Sequence, residues 1–310
     1  MDSAELSSAL LARKSGAGTN AAGARTSAAR GSGLMQGKRG LVMGVANDHS
    51  IAWGIAKALH GQGAALAFTY QGQALGKRVG PLAASLGSAI LEPCDVEDLA
   101  SVDALFSRIG DEWGGLDFLV HAIAFSDKNE LKGRYADTTR ENFTRTMLIS
   151  CFSFTEIARR AAKLMTAGGS LVTLTYDGSN RVMPNYNVMG VAKAALEASV
   201  RYLAADFGPA GIRVNAISAG PVRTLAGAGI ADARLMFNYQ KRHAPMRRTV
   251  TIEQIGNAGL YLLSELSSGV TGEIHYVDSG YNIISMPHPE ALKTVDAAEA
   301  AAESPSERAD

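Results

Sequence analysis

The sequence is poor in cysteine. Its 310 residues include two, Cys94 and Cys151, and neither stands in a CxxC pair or in a spacing typical of metal ligands. A disulfide framework and a structural zinc site are therefore not expected, and no metal site is predicted. Two isolated cysteines are typical of a protein that works in a reducing compartment, which makes the cytoplasm the expected location.

Long apolar runs and net charge are also missing. No apolar run approaches the roughly 20 residues that cross a bilayer, so no membrane-spanning helix is expected. The 30 basic and 30 acidic residues balance, which removes the electrostatic argument for a nucleic acid or an anionic membrane as partner. The N-terminal segment lacks the apolar core of a secretory signal.

The two ends of the chain differ in composition from its middle. Residues 1–34 are rich in Ala, Ser, Gly and Arg, and residues 289–310 are rich in Ala, Glu and Ser. Such segments bury too little apolar surface to offset the entropy of ordering them. Both are predicted to be disordered, on either side of one domain at residues 35–288. An organellar transit peptide and a natural start at Met35 are both open for the first segment.

Apolar, β-branched runs alternate with helix-like periodic segments through the middle of the chain. This alternation predicts an α/β fold, a single Rossmann-like doubly wound domain with a seven-stranded parallel sheet and helices on both faces. The predicted strands lie at residues 40–44, 64–70, 89–94, 116–125, 170–175, 211–220 and 272–278.

Two predicted helices carry capping-box sequences. Thr138-x-x-Glu141 precedes a long predicted helix at residues 140–165, and Thr251-x-x-Gln254 precedes another that ends near residue 264. Between the sixth strand and the second of these helices, a long and partly helical connection reaches about residue 248. Because such connections often cover a binding site, it is the expected substrate lid.

The first strand ends at Gly44, and a helix is predicted to begin after Ser50. A strand, a glycine-bearing turn and a helix form a dinucleotide site, because helix N–H groups bind the pyrophosphate and glycine lets the backbone approach it. The spacing here is Gly44-x5-Ser50-Ile51-Ala52-x-Gly54 rather than GxGxxG. As a generic fingerprint it is weak, and a turn with incidental glycines stays open.

Polar residues follow the second and third predicted strands. Gln71 stands where dinucleotide folds often carry an acid for the adenosine ribose, and an amide can also bond a ribose hydroxyl. Cations come only at Lys77 and Arg78, inside the next helical segment, which favours NADH over NADPH. Asp95 either accepts a hydrogen bond from the adenine amino group or caps the following helix, and the local sequence does not separate these alternatives.

The segment from Tyr176 to Lys193 carries groups suited to a reduction. Tyr186 begins a predicted helix, and Lys193 lies seven residues later on nearly the same face. A nearby ammonium is expected to lower the phenol pKa from about 10 and to make it a better donor to an oxygen that gains negative charge. An isolated Tyr-x6-Lys is more often a half-buried ring and a solvated charge. His121, inside the fourth predicted strand, is interpreted as a core histidine.

Taken together, these motifs resemble those of the enoyl-acyl-carrier-protein reductases, within the short-chain dehydrogenase/reductase superfamily. Ordinary members of the superfamily use Tyr-x3-Lys, whereas position 190 of this chain is glycine. The resemblance covers about Gly37 to Asn282. Its most specific parts are the Gly44 to Gly54 turn, Tyr176-x9-Tyr186-x6-Lys193, Pro184 to Gly190, and Arg213 to Pro221 running into Arg223 to Ala226.

The resemblance implies a role for each matching position. Tyr186 would bond the thioester carbonyl and stabilise the enolate, Lys193 would bind the nicotinamide ribose, and Tyr176 would complete the catalytic set beside the substrate. Ser126 stands at the substrate-contact position. The positions implied to line the dinucleotide are Gly44, Ser50, Ile51, Gln71, Asp95, Val96, Ile123, Lys193, Val222, Arg223, Thr224, Leu225 and Ala226.

The implied activity is NADH-dependent reduction of the trans-2 double bond of enoyl thioesters on acyl carrier protein, the last step of each fatty acid elongation cycle. A homotetramer is implied as well. Met183, Met189 and Phe125 are expected to form apolar walls for the acyl chain. The sequence departs from the family at Ala122, Ser126 and Asp177, which affects the expected chain-length preference. Reduction of a ketone or sugar carbonyl, and an inactive dinucleotide-binding scaffold, are the alternative functions.

Overall fold

The computed structural model describes residues 33–222, 224 and 233–286. Within these residues seven strands form one sheet, all of whose neighbouring pairs run parallel, in the order β3-β2-β1-β4-β5-β6-β7. The predicted doubly wound architecture is thereby confirmed. The strands are β1 (Arg39–Met43), β2 (Ala65–Tyr70), β3 (Ile90–Pro93), β4 (Phe118–His121), β5 (Gly169–Thr175), β6 (Ile212–Ala219) and β7 (Ile274–Val277).

Helices connect successive strands of the sheet. The strand order reverses between β1 and β4, and this switch point opens a crevice at the carboxyl ends of the strands, where ligands bind in such folds. The α-helices in the described part of the chain are α1 (Ile51–Gly61), α2 (Gly72–Ser85), α3 (Leu99–Trp113), α4 (Arg140–Met147), α5 (Ser153–Leu164), α6 (Asn187–Phe207), α7 (Ala233–His243) and α8 (Ile252–Leu263).

The sheet has a hydrophobic core on each face. Leu41 of β1 lies in register with Leu119 of β4, and both belong to one buried cluster. The next residues, Val42 and Val120, are also in register and belong to the other cluster. Because side chains alternate along a strand, burial on both faces requires the continuous apolar runs that the sequence displays.

The fourth strand is shorter than predicted. Residues 116–125 were expected to be extended, but β4 ends at His121. The chain then leaves the sheet, and the backbone of Phe125 is held instead by Ser150, whose hydroxyl accepts from the Phe125 N–H at 2.9 Å and donates to its carbonyl at 2.8 Å. This departure exposes residues 122–125 at the crevice.

The helix predicted at residues 140–165 begins at Arg140 as expected, but its capping residue and its middle differ. Thr139, not Thr138, caps α4, since its hydroxyl accepts from the Asn142 N–H at 3.2 Å. A π-helical turn at Leu148–Phe152 separates α4 from α5. The second predicted capping box is confirmed, with Thr251 and Gln254 bonding reciprocally at the start of α8.

None of the helices in the described part of the chain combines the length and the hydropathy that a bilayer crossing needs. The two predicted disordered ends fall almost entirely on residues 1–32 and 287–310, outside the described residues. Gly33 and Leu34 are described and precede Met35, which is buried and bonds the carbonyl of Gln62 through its N–H at 3.0 Å.

Candidate active site

A large cavity lies at the carboxyl ends of the strands. Its volume is about 1240 Å³, above the roughly 300–1,000 Å³ of an ordinary small-molecule pocket. It therefore has room for a dinucleotide together with part of a second ligand. The predicted site residues on its wall are Gly44, Ile51, Gln71, Asp95, Val96, Ile123, Tyr176, Tyr186, Lys193, Val222 and Thr224. Arg223, Leu225 and Ala226 lie outside the described residues.

Gly44 shapes the turn after β1. Its φ is +93°, a conformation that side-chain-bearing residues rarely adopt. A Cβ at this position would lie 2.1 Å from the carbonyl oxygen of Ala122, which follows β4. Only glycine fits, because the ends of the two central strands touch here. This contact lies at the switch point of the sheet.

Ser50 organises the turn between Gly44 and α1. Its hydroxyl accepts from the N–H groups of Ala46 at 3.0 Å and Asn47 at 3.1 Å. Ser50 is not among the wall residues of the cavity, although it was predicted to line the cofactor. Its hydroxyl bonds the loop instead. The first turn of α1 contains no acid, so the positive helix end remains available to a pyrophosphate.

Gln71 and Asp95 form a bonded pair at the ends of β2 and β3. The Gln71 amide donates to the Asp95 carboxylate at 2.8 Å, and the other carboxylate oxygen accepts from the Glu97 N–H at 2.9 Å. Asp98 caps α3 by accepting from the Ala100 N–H. The capping alternative for Asp95 is thereby excluded, and its carboxylate stays on the cavity wall.

Two asparagines place Tyr186 at the start of α6. Asn185 and Asn187 have φ values of 57° and 34°, in the left-handed region that asparagine tolerates better than most residues. The Asn187 amide donates to three carbonyl oxygens of the loop at residues 130–133, at 3.2, 3.4 and 3.3 Å. The turn that carries Tyr186 is therefore fixed from both sides.

Two glycines make room for the Tyr186 ring. A Cβ on Gly178 would lie 2.5 Å from the ring, and a Cβ on Gly190 would lie 2.7 Å from the carbonyl oxygen of Gly178. Position 190 is where the superfamily's Tyr-x3-Lys spacing would place its lysine. A lysine at position 190 would meet this close approach, whereas Lys193 lies on the cavity wall.

We expect Gly190→Ala to impair catalysis beyond its effect on folding. The added methyl group must displace the Gly178 turn, on which the Tyr186 ring rests, and overpacking of this kind costs about 1–3 kcal/mol. Turnover of a crotonyl thioester should fall at least about 10-fold if Tyr186 acts there. Ala194→Gly is the matched control, because Ala194 is exposed on the same helix and the change costs roughly 1 kcal/mol through helix propensity alone. Equal turnover of the two variants would contradict the prediction.

Lys193 is buried beside the end of β5. Its side chain is 6% exposed, and its ammonium donates to the carbonyl oxygen of Leu174 at 2.8 Å. Burial lowers the pKa of Lys193 to about 8, while Cys151 and Glu197 raise it in part. A desolvated ammonium with one of its three donors engaged has two left for a ligand in the cavity.

The Tyr186 phenol does not have the lowered pKa that the sequence predicts. Burial raises its pKa above the ordinary value, and Tyr176 and Glu197 raise it further. The expectation was wrong because desolvation of the buried phenolate, which the sequence does not reveal, is the largest influence on this pKa. Tyr186 is therefore a neutral phenol that can donate a hydrogen bond.

Tyr176 lies beside Tyr186 at the end of β5. The two rings meet edge to face with their centroids 5.3 Å apart. The Tyr176 hydroxyl accepts from the side-chain amide of Gln240, on α7, at 2.9 Å. Burial raises its pKa, and the bond from Gln240 lowers it in part. Gln240 was not among the predicted site residues, because nothing local in the sequence connects it to Tyr176, 64 positions earlier.

Among Ser126 and the three residues predicted to form apolar walls for the acyl chain, only Phe125 lies on the cavity wall. Ser126 is not on the cavity wall, and its hydroxyl bonds Asn142 at 3.3 Å and Thr146 at 2.9 Å. Met183 and Met189 pack around the Tyr186 ring rather than along the cavity. Phe125 does line it. The apolar wall that the sequence did not predict includes Ile149, Met236 and Phe237.

His121 is a core residue, as predicted. Its ring is fully buried and bonds the hydroxyls of Thr173 at 3.3 Å and Ser153 at 3.0 Å. Burial, with the Lys193 charge adding to it, lowers its pKa to about 3, so the imidazole is neutral at working pH. No cluster of three or more potential metal ligands occurs among the residues that the structure describes.

Comparison with known proteins identifies the family of this chain. The family model described as Enoyl-(Acyl carrier protein) reductase matches residues 44–282. The chain belongs to the enoyl-(acyl carrier protein) reductase family. One relative, Enoyl-[acyl-carrier-protein] reductase [NADH] 2 of Rhizobium meliloti, is 75% identical over 265 residues, which are 86% of this chain and 99% of that protein.

Solved enoyl-(acyl carrier protein) reductases share the fold. FabI from Candidatus Liberibacter asiaticus is 64% identical, with a TM-score of 0.81 over 82% of this chain and 99% of that one. The enzyme of Anaplasma phagocytophilum, solved in complex with NAD, is 58% identical, with a TM-score of 0.80 over 82% of this chain and 97% of that one. The family resemblance inferred from Tyr176, Tyr186 and Lys193 is confirmed.

Proposed function

We propose that the chain reduces the trans-2 double bond of enoyl thioesters on acyl carrier protein with NADH, in the last step of each fatty acid elongation cycle, with Tyr186 and Lys193 as its catalytic pair and Tyr176 completing the catalytic set beside the substrate. The relatives named as NADH-dependent enoyl reductases support the reaction. The assignment of residues rests on one observation. Tyr186 and Lys193 line the same cavity as the Gly44 turn, which carries the features of a dinucleotide site.

Tyr186 serves the substrate oxygen. When bound, the nicotinamide supplies a hydride to the β-carbon, and negative charge then develops on the thioester oxygen. A buried neutral phenol can donate a hydrogen bond to that oxygen without reorganising, which is worth more in a desolvated site than in water. The raised pKa of Tyr186 suits this role, because the proton stays on the phenol until the enolate forms.

Lys193 serves the nicotinamide end of the dinucleotide. Its ammonium is held in place by the Leu174 carbonyl, so its remaining donors are directed by a fixed stem. Ribose hydroxyls are suitable acceptors for them. The charge of Lys193 also favours the development of negative charge nearby. Because burial lowers the pKa of Lys193 to about 8, part of this charge is lost as pH rises through that value.

The adenosine end favours NADH. The wall there carries the carboxylates of Asp95 and Glu97, and the cation of Arg145 is paired with Glu97 at 2.8 Å. A 2′-phosphate would meet these carboxylates without a free cation on the described wall at this end. The other wall cations, Lys193 and Arg234, lie on α6 and α7.

Parallel assays with crotonyl and longer enoyl-carrier thioesters, using NADH and NADPH, test the reaction. We expect loss of NADH absorbance with the enoyl thioesters and a clear preference for NADH. Faster turnover of acetoacetyl than of crotonyl thioester would indicate carbonyl reduction instead. Tight NADH binding with no turnover of any enoyl thioester would indicate a scaffold.

We also propose that the chain forms a homotetramer and works in the cytoplasm. Large apolar side chains are exposed along successive helices, with Phe143 on α4 37% exposed, Phe152 in the π turn 50% exposed and Tyr202 on α6 74% exposed. Such residues fit an interface between copies of the chain. The two free cysteines fit a reducing compartment. Light scattering at micromolar concentration, with an observed mass four times that of the chain, would support the tetramer.

A further inference from the structure

The hydrogen bond between Gln240 and Tyr176 joins α7 to the catalytic tyrosines. Gln240 is 3% exposed, although glutamine is usually a surface residue. Its amide nitrogen donates to the Tyr176 hydroxyl at 2.9 Å. Among the described residues its amide oxygen has no partner, so Tyr176 is the described partner of this buried amide. A buried amide whose oxygen has no partner destabilises the fold. A functional role for Gln240 would account for its presence there.

The direction of this bond decides what the Tyr176 hydroxyl can still do. A phenol has one hydrogen to donate and an oxygen that accepts. Because Gln240 supplies a hydrogen to that oxygen, the phenol's own hydrogen is free to point elsewhere. Tyr176 lies on the cavity wall with its ring against Tyr186. The hydroxyl is therefore prepared to donate into the cavity rather than toward α7.

Helix α7 connects this bond to the apolar wall. Met236 and Phe237, one turn before Gln240, line the cavity. On the far side, Tyr239 packs edge to face against Tyr281 with ring centroids 6.4 Å apart, and the N–H of Met246 bonds the carbonyl of Ser279 at 3.3 Å. Helix α7 thus packs against the segment after β7, and it contributes both Met236 and Phe237 of the cavity wall and Gln240, the partner of Tyr176.

We propose that Gln240 is a positioning residue that holds Tyr176 as a hydrogen-bond donor facing the substrate and ties this orientation to the seating of α7 on the cavity. The inference rests on the proposed function, and within it on the role of Tyr176. It assigns to Gln240 no contact with the substrate. A side chain that cannot donate at position 240 leaves the Tyr176 hydroxyl free to rotate, and one that only accepts turns its hydrogen away from the cavity.

Two substitutions separate these effects. Gln240→Met keeps the length of the side chain but removes the amide, and Gln240→Glu keeps the shape while converting the donor into an acceptor. We expect Gln240→Met to lower kcat for crotonyl thioester by roughly 10-fold and Gln240→Glu to lower it further, with the Kd for NADH unchanged. Lys241→Ala, exposed on the same helix, is the control and should retain wild-type kcat.

A double-mutant cycle with Tyr176→Phe distinguishes positioning from a purely structural role. If Gln240 acts through the Tyr176 hydroxyl, both substitutions should change kcat less than about two-fold in the Tyr176→Phe background. Equal losses in the two backgrounds, or wild-type kcat for both single variants, would overturn the inference. Thermal unfolding of each variant identifies a misfolded protein, and Gln240→Glu then carries the cycle if Gln240→Met fails to fold.

The same measurements keep this inference apart from the proposed function. If wild-type protein turns over no enoyl thioester, the proposed reaction fails and the inference with it. If Tyr176→Phe has wild-type kcat, the role of Tyr176 fails while Tyr186 and Lys193 are untouched. If Tyr176→Phe is impaired but the two Gln240 variants are not, the function stands and only the positioning role is wrong.

Discussion

Tyr186→Phe is expected to lose roughly 100-fold in kcat for enoyl thioesters while its affinity for NADH stays within a few-fold of wild type. The substitution removes one hydroxyl and keeps the ring that Gly178 and Gly190 accommodate. The lost group is the donor to the oxygen on which charge develops, so the loss should appear in kcat more than in KM. Steady-state kinetics with crotonyl thioester and a fluorescence titration of NADH give both quantities.

The control for Tyr186→Phe is a tyrosine on the same helix that lies away from the cavity. Tyr202 is 74% exposed on α6, and Tyr202→Phe makes the same chemical change there. It should keep wild-type kcat. The thermal midpoints of both variants should stay close to wild type, because each keeps its ring. Retained turnover in Tyr186→Phe, with the fold intact, would remove Tyr186 from the mechanism.

The parts of this site that depend on local sequence were predictable. The turn at Gly44 follows from an apolar run that ends in glycine ahead of α1, and the presence of Tyr186 and Lys193 on one cavity follows from helical periodicity. The parallel arrangement of the strands follows from the alternation of strands and helices along the domain. The two local features are encoded by neighbouring residues and the third by the pattern of the whole domain, so no particular tertiary contact had to be known.

The parts that depend on distant residues were not predictable. Gln240 reaches Tyr176 across 64 positions of sequence, from a connection that the sequence predicts to be only partly helical. The raised pKa of Tyr186 depends on burial, which many elements create together. Ser126 was assigned to the substrate from its place in the family motif, but Asn142 and Thr146 on α4 bond its hydroxyl.

The prediction that Thr138 caps α4 was wrong for a more local reason. Thr138 and Thr139 are adjacent and chemically equivalent, and the capping-box pattern selected the first because Glu141 stands three residues after it. In the structure Thr139 also donates to the carboxylate of Glu130 at 2.9 Å, which orients its hydroxyl for the helix end. The choice between two neighbouring threonines was thus made by a third residue nine positions away.

Lys193→Met is expected to lower kcat/KM at neutral pH by at least about 100-fold. It should weaken NADH binding as well. Methionine matches the apolar stem of lysine, so the fold should survive the loss of a buried charge. The variant loses both the donors proposed for the ribose and the positive charge that Lys193 places on the cavity wall. Kinetics and NADH titration should therefore both change, in contrast to Tyr186→Phe, where only turnover changes.

The pH profile supplies an independent test of Lys193. In the free enzyme its pKa is lowered to about 8, so the ammonium is present below pH 8 and is lost as pH rises through that value. If the charged form is required, kcat/KM of the wild type should fall above about pH 8. Lys193→Arg keeps a charge that persists throughout this pH range, so whatever activity it retains should lose this basic limb. A wild-type profile that stays flat to pH 9.5, or an arginine variant with an unchanged limb, would mean that another group titrates and that the charge of Lys193 is not what the reaction needs.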